Sequence, residues 1–211
     1  MEKNRVEAFS DGVLAIAITL LIIEVRIPES EEGELWDEIV HAWPQLAAYV
    51  VSFFIIGIIW VNHHALLGLA KYVDRPLLFF NLLLLLCIVL IPFSTALLAD
   101  YIRASDNSHV AAAVYSGNML LCALAFQVMW RWIVPGGRLL HEPMDPRAER
   151  AAQARFGAGV FAYLATIGLS FWSAAATLLA HFLIAVYYMF DQLIAGRSSE
   201  ETDRRVSRRS E

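Results

Sequence analysis

RVEAFSDGVLAIAITLLIIEVRIP, residues Arg5 to Pro28, decides the fold class of this chain. From Val13 to Ile23 it is almost purely apolar, yet Arg5, Glu7 and Asp11 stand at its start and Glu24 and Arg26 near its end. About 23 residues rising 1.5 Å each span roughly 34 Å, enough to cross a hydrocarbon core of about 30 Å. An ionisable residue near mid-membrane costs about 2.5 to 3.5 kcal/mol on insertion scales and normally has a partner. Asp11, about two turns in from Arg5, therefore marks a helix that does more than anchor.

The rest of the chain has the same character. Of its 211 residues, 58% are hydrophobic and only 18% charged, with a mean hydropathy of +0.55. A soluble domain lies near 45–50% apolar and about 25% charged, so the class is membrane-integral with several spans. The N-terminus lacks the layout of a cleavable signal, since Arg5 leads straight into the first span. Cys87 and Cys122 lie inside apolar runs and read as small packing residues. No Walker motif, HExxH or GxSxG spacing appears, and no nucleic-acid partner is expected.

Six spans are predicted, near Val6–Ile27, Trp43–Leu66, Pro76–Leu98, His109–Ile133, Gln153–Ser170 and Trp172–Ala195. The fifth and sixth are joined by almost nothing, which makes them a tight helical hairpin. Residues 1–196 form one six-helix transmembrane domain, and the charged, Ser-rich stretch 197–211 reads as a disordered cytoplasmic tail. Lys3, Arg5, Lys71, Arg75, Arg131, Arg138, Arg147, Arg150, Arg155 and the tail arginines fall on one side, and only Arg26 and Arg103 on the other. The positive-inside rule puts both termini in the cytoplasm. Leu35, Trp36, Ile39, Val40 and Trp43 recur at helical spacing inside acidic sequence, which suggests a short amphipathic helix at the outer interface.

At about 100° per residue, Arg5, Phe9, Gly12, Ile16, Leu20, Ile23 and Ile27 share one line on the first span. Thr19 lies about 60° to one side of that line, Glu24 about 80° to the other, and Asp11, Ile18 and Ile22 point roughly opposite. Taken alone, an Ile/Leu stripe is a lipid-facing or packing surface.

Arg5, Phe9, Ser10 and Asp11, spelling RxxxFSD ahead of GVLAIAITLLIIE, resemble the first helix of the transmembrane protein 175 family of endolysosomal potassium channels and their shorter bacterial relatives. Trp60-Val61-Asn62-His63-His64 is similar to the family's second-span motif. The resemblance implies an all-α, six-span protein that assembles as a homotetramer around a central pore lined by the first helices. It implies a potassium-selective, leak-like channel of the cell membrane, with no cofactor beyond the permeant K+ ions and with itself and membrane lipids as partners. Ile16, Leu20 and Ile23 would then form successive constrictions, Thr19 would assist selectivity, and Glu24 would stand at the outer mouth.

Within that frame Arg5, Phe9, Ser10, Asp11, Asn62, His63 and His64 are expected to form a structural polar network. His63 or His64 is expected to meet Asp11 or Ser10, and Asp11 to pin the helix without lining the water path. Thr19 has a second reading, a hydroxyl bonded back to the carbonyl of Ala15. No TVGYG filter is present, so selectivity needs another device, and aliphatic constrictions also gate by dewetting. Two alternatives stand beside this reading: a weakly selective cation or proton channel of the same architecture, and a membrane-embedded redox or lipid enzyme using the histidines.

Overall fold

The computed structural model describes residues 2–25, 35–103, 106–135, 139–140 and 144–189. All regular structure among them is helical, apart from one isolated bridge between Ala70 and Leu140. The elements are α1 (Lys3–Ile23), α2 (Leu35–His41), α3 (Trp43–Leu69), α4 (Arg75–Val89), α5 (Ile91–Tyr101), α6 (Ser108–Ile133), α7 (Pro146–Ser170) and α8 (Ala174–Met189). The expected tail and the acidic loop at 26–34 lie outside the described residues.

Among the described residues four stretches are long and apolar enough to cross a membrane: α1, α3, the α4–α5 run from Arg75 to Tyr101, and α6. α7 is long but less apolar, and the described part of α8 is apolar but shorter. With them the described residues make six main helical runs. The third run differs from the sequence reading, because it is broken at Leu90. Pro92 lacks an N–H and its ring crowds the carbonyl four residues back, so α4 stops and α5 restarts with Pro92 in its first turn. The hydroxyls of Ser94 and Thr95 donate to the Ile91 carbonyl and serve the backbone just past the break.

The fifth run also differs. α7 begins seven residues earlier than expected, because Asp145 and Pro146 give it a favourable start and Glu149 adds an acidic first turn. It turns through Phe171–Ser173 directly into α8, where Ser173 Oγ accepts from the Ala176 N–H at 3.2 Å. α2 forms where the amphipathic helix was expected, with Trp36 and Val40 exposed. Arg103, past the end of α5, donates to the His41 carbonyl at 3.3 Å and lies over the Trp43 ring. At the other end Lys3 Nζ donates to the Gly68 carbonyl, and the Lys71 N–H donates to the Leu139 carbonyl. These contacts gather helix ends in the alternating sense that consecutive spans require.

α1 packs on α3 and on both halves of the broken third run, while α6 packs on that run and on α7. Between lipid-solvated helices the drive is close packing and hydrogen bonding, since lipid tails are as apolar as leucine. The centre is accordingly tight, with Leu21, Ile56, Leu67, Leu84, Ile88, Met119 and Met129 fully buried. It is also stitched by polar groups. Ser52 Oγ lies 2.8 Å from Thr95 Oγ1 and 2.9 Å from the Tyr115 hydroxyl, and Asn118 donates to Ser94. Trp132 Nε1 donates to the Asp74 carboxylate, which also caps α4 through the Leu77 N–H. Phe79, Leu83, Leu86, Phe93, Leu121 and Leu124 point outward, as lipid-facing residues do.

Candidate functional site

α1 is packed along one stripe only. Val6, Ser10, Leu14, Ala17 and Leu21 are buried, each three or four residues from the next. On the wheel this stripe sits about 120° from the line through Arg5, Phe9, Gly12, Ile16, Leu20 and Ile23. That second line is left open by its own subunit: Phe9 is 54% exposed, Ile16 61% and Ile23 67%. Leu20, at 37%, is the most covered of the three aliphatic positions.

The exposed arc is wider than a pore line needs. It runs through Thr19 and Ala15 to Asp11 and Ile22, about half the circumference. The sequence reading put Ile18 and Ile22 on a face opposite the pore line, and Asp11 with them. In the structure that face is divided: Ile22 is 51% exposed and Asp11 is exposed, while Ile18 is partly buried against the core. The subunit grips α1 from one flank because the small and medium side chains of Ala17, Ser10 and Val6 let α3 and α4 approach there.

Two contacts set the rotation of α1. Ser10 donates to the Val6 carbonyl at 2.8 Å, and its oxygen accepts from Asn81 Nδ2 at 3.0 Å. Asn81 Oδ1 in turn accepts from His63 Nε2 at 2.6 Å, which puts the imidazole proton on that nitrogen. All three side chains are buried. One donor-to-acceptor chain thus joins α3, α4 and α1 in an apolar layer where an unpaired group is costly. The second contact is a hydrogen bond of 2.9 Å from Trp60 Nε1 to Asp11 Oδ1.

These contacts correct the expected network. Neither histidine meets Asp11 or Ser10 directly. His63 reaches Ser10 only through Asn81, because α4 lies between them, and Trp60 holds Asp11 because its long indole extends past the edge of α3. Arg5, Phe9 and His64 are exposed and lie outside this chain of bonds, while Asn62 donates to the Ile58 carbonyl one turn back. Asn81 was the missed residue. Its signal was available, since it is the lone amide in the run FFNLLLLLC. Trp60 was visible inside WVNHH, but nothing in its spacing separated it from an interfacial aromatic.

Thr19 Oγ1 donates to the Ile16 carbonyl at 2.9 Å, three residues back and not four. Threonine reaches either carbonyl according to its rotamer. The bond uses the hydroxyl proton and leaves the oxygen lone pairs on the exposed side. Glu24, partly exposed, follows the last turn of α1. Among the described residues no three His, Cys, Asp or Glu side chains gather as a metal-binding group.

The chain is a many-span helical protein whose first helix carries a polar lock on one face and an open aliphatic line on another, and its relatives are of the channel class. The model of the endosomal/lysosomal potassium channel TMEM175 family matches residues 5–92. A potassium channel of Streptomyces collinus is 50% identical over 193 residues, which cover 91% of this chain and 94% of that one. A potassium channel of Chamaesiphon minutus is 38% identical over 192 residues, 89% of this chain and 93% of the other. The crystal structure of a lysosomal potassium-selective channel TMEM175 homolog from Chamaesiphon minutus superposes with a TM-score of 0.80 at 34% identity, covering 90% of this chain and 97% of that one. This chain belongs to the TMEM175 family. The family is one of ion channels, so the enzyme alternative is set aside.

Proposed function

We propose that the protein is a potassium-selective, leak-like channel of the cell membrane, a homotetramer in which α1 of each subunit lines a central pore. Both termini face the cytoplasm, and residues 1–196 make one channel domain. The observation that carries this reading is the open aliphatic line Phe9–Gly12–Ile16–Leu20–Ile23 on a helix that its subunit grips along a single stripe. A subunit buries the stripe it needs for folding, and the likeness to potassium channels favours a water path over lipid for the open one. The potassium-channel relatives, matched over almost their whole length, support the same conclusion.

In this mechanism K+ is the substrate. Four copies of Ile16, Leu20 and Ile23 stack as aliphatic rings about 10 Å deep, since seven residues rise about 10 Å. An ion passing them sheds part of its hydration, and the narrowest ring dewets when closed. Thr19 hydroxyl oxygens, their protons already committed to Ile16 carbonyls, act as acceptors beside the rings. Glu24 raises the local cation concentration at the outer mouth, an effect screened by salt. Asp11 and the Ser10–Asn81–His63 chain hold the rotation of α1 and do not conduct.

Proton permeation is a second reading with its own support, because the chicken relative, 32% identical over 152 residues, is an endosomal/lysosomal proton channel. One assay addresses both. The purified chain in liposomes is given a K+, Na+ or proton gradient, and flux is followed with the matching dye. The proposal expects K+ flux well above Na+ flux. A dominant proton signal with no K+ discrimination would favour the second reading, and silence in all three would remove both.

A further inference from the structure

On the side of the bundle away from α1 lies a half-open crevice of about 470 Å³ between α3, α6, α7 and α8. That volume lies within the range of small-molecule sites, about 300 to 1,000 Å³. Its floor follows α3 from Ile55 to Leu69, about 21 Å along the axis, which exceeds one leaflet of a 30 Å hydrocarbon core. The walls are low because Ala123 on α6 and Ala148, Ala152 and Gly159 on α7 carry little or no side chain. Gly159 is held to that size by the Tyr188 hydroxyl, which sits 2.7 Å from where a Cβ would be and donates to the Arg155 carbonyl at 3.2 Å.

We propose that this crevice takes the acyl chain of an anionic phospholipid from the cytoplasmic leaflet, with Arg155 meeting the headgroup. The lining is apolar apart from a few groups, among them Arg155 and Asn62. Arg155 is exposed, and Arg147 and Arg150 are exposed earlier on the same helix, toward the end where Leu69 and Ala148 close the crevice. An arginine fork matches phosphate geometry, and its long stem lets the charge reach the interface from inside the hydrocarbon. The exposed arginines at its cytoplasmic end favour an anionic headgroup there over a helix from a second copy. Basic pockets between spans on the cytoplasmic side are a recognised form of anionic lipid site. The proposal rests on the orientation given above and is independent of which ion permeates.

The full chain, purified in mild detergent, is offered phosphatidylglycerol or phosphatidylcholine and examined by native mass spectrometry. Retention of phosphatidylglycerol over phosphatidylcholine is expected. Arg155→Gln should lower that preference about tenfold, the scale of one lost charge-assisted contact, and Arg155→Lys should keep part of it. Ala123→Phe fills the crevice and should lower retention of both lipids. Ala148→Phe, an exposed rim position, tests the same blockage without burdening the core. Equal retention of the two lipids by the native chain, or unchanged retention in Arg155→Gln and Ala148→Phe, overturns the site. So does efficient cross-linking between subunits through Ala148→Cys, which would put a second copy over the crevice. Lipid preference without K+ flux would sink the channel reading and leave this one standing.

Discussion

At the scale of single residues, Asn81 does more than any residue of the FSD motif to fix α1. Among the described residues it alone links the buried His63 to the buried Ser10, and both ends of its amide are used. Asn81→Leu leaves the His63 N–H without its acceptor in an apolar layer, a cost of about 1–3 kcal/mol for a buried unsatisfied group. Trp60→Phe also removes a hydrogen bond, but Asp11 is exposed within the subunit and can be solvated or partnered from outside. Thermal denaturation in detergent should therefore show a larger loss for Asn81→Leu than for Trp60→Phe. The reverse order would mean that Asp11, and not the His63–Asn81–Ser10 chain, carries the lock. Thr19 belongs to this scale as well. Thr19→Val keeps the shape, removes an acceptor, and gives up only a bond internal to its helix. The variant should assemble and conduct with a lower preference for K+ over Na+, read as a shift of the bi-ionic reversal potential. An unchanged ratio would leave selectivity to the aliphatic rings alone.

At the scale of elements, α1 has three faces, and one polar substitution on each should fail in a different way. Leu14 is in the packed stripe, so Leu14→Asn should reduce the yield of folded subunit. Ile16 is on the open aliphatic line, so Ile16→Asn should wet the neck, raise flux and weaken ion discrimination. Ile22 lies on the remaining open flank, so Ile22→Asn should spare the subunit fold and reduce recovery of the oligomer. Expression, size-exclusion profile and liposome flux of the three variants separate these outcomes, and a common phenotype would remove the face assignment. The pattern also shows what a sequence can carry. Span order, the α2 amphipathic helix and the open line of α1 were legible because hydropathy and a 3.6-residue period write them locally. The break at Leu90 could have been read from Pro92. The rotation of α1 against its neighbours could not, because Ser10 and Asn81 are 71 residues apart and nothing local pairs them. A wheel gives angles within a helix but no zero point, so it could not tell that Ile22 is left open by the subunit while its neighbour Ile18 is partly buried.

At the scale of the molecule, the off-centre grip on α1 bears on assembly. Four helices around an axis each present one line to the axis and touch a neighbour on either flank. If a subunit covered α1 from directly behind, the packed stripe would lie about 180° from the open line. Here it lies about 120° away, so the subunit supports one flank, and in the proposed tetramer an adjacent copy would take the other, along Thr19 and Ala15. Ala15 is small and exposed in the middle of that flank, where close approach of helices in a membrane favours small residues. Native mass spectrometry from mild detergent should give a particle of four 23.7 kDa chains. Ala15→Trp should split it into smaller species while each subunit keeps its helical circular dichroism, because the buried stripe and the Asn81 link are untouched. Flux in liposomes should fall in parallel with the tetramer fraction, since one α1 cannot enclose a path for ions. A single-chain particle that still passes K+ at the native rate would put the pore inside the six-helix unit and overturn the central-axis arrangement.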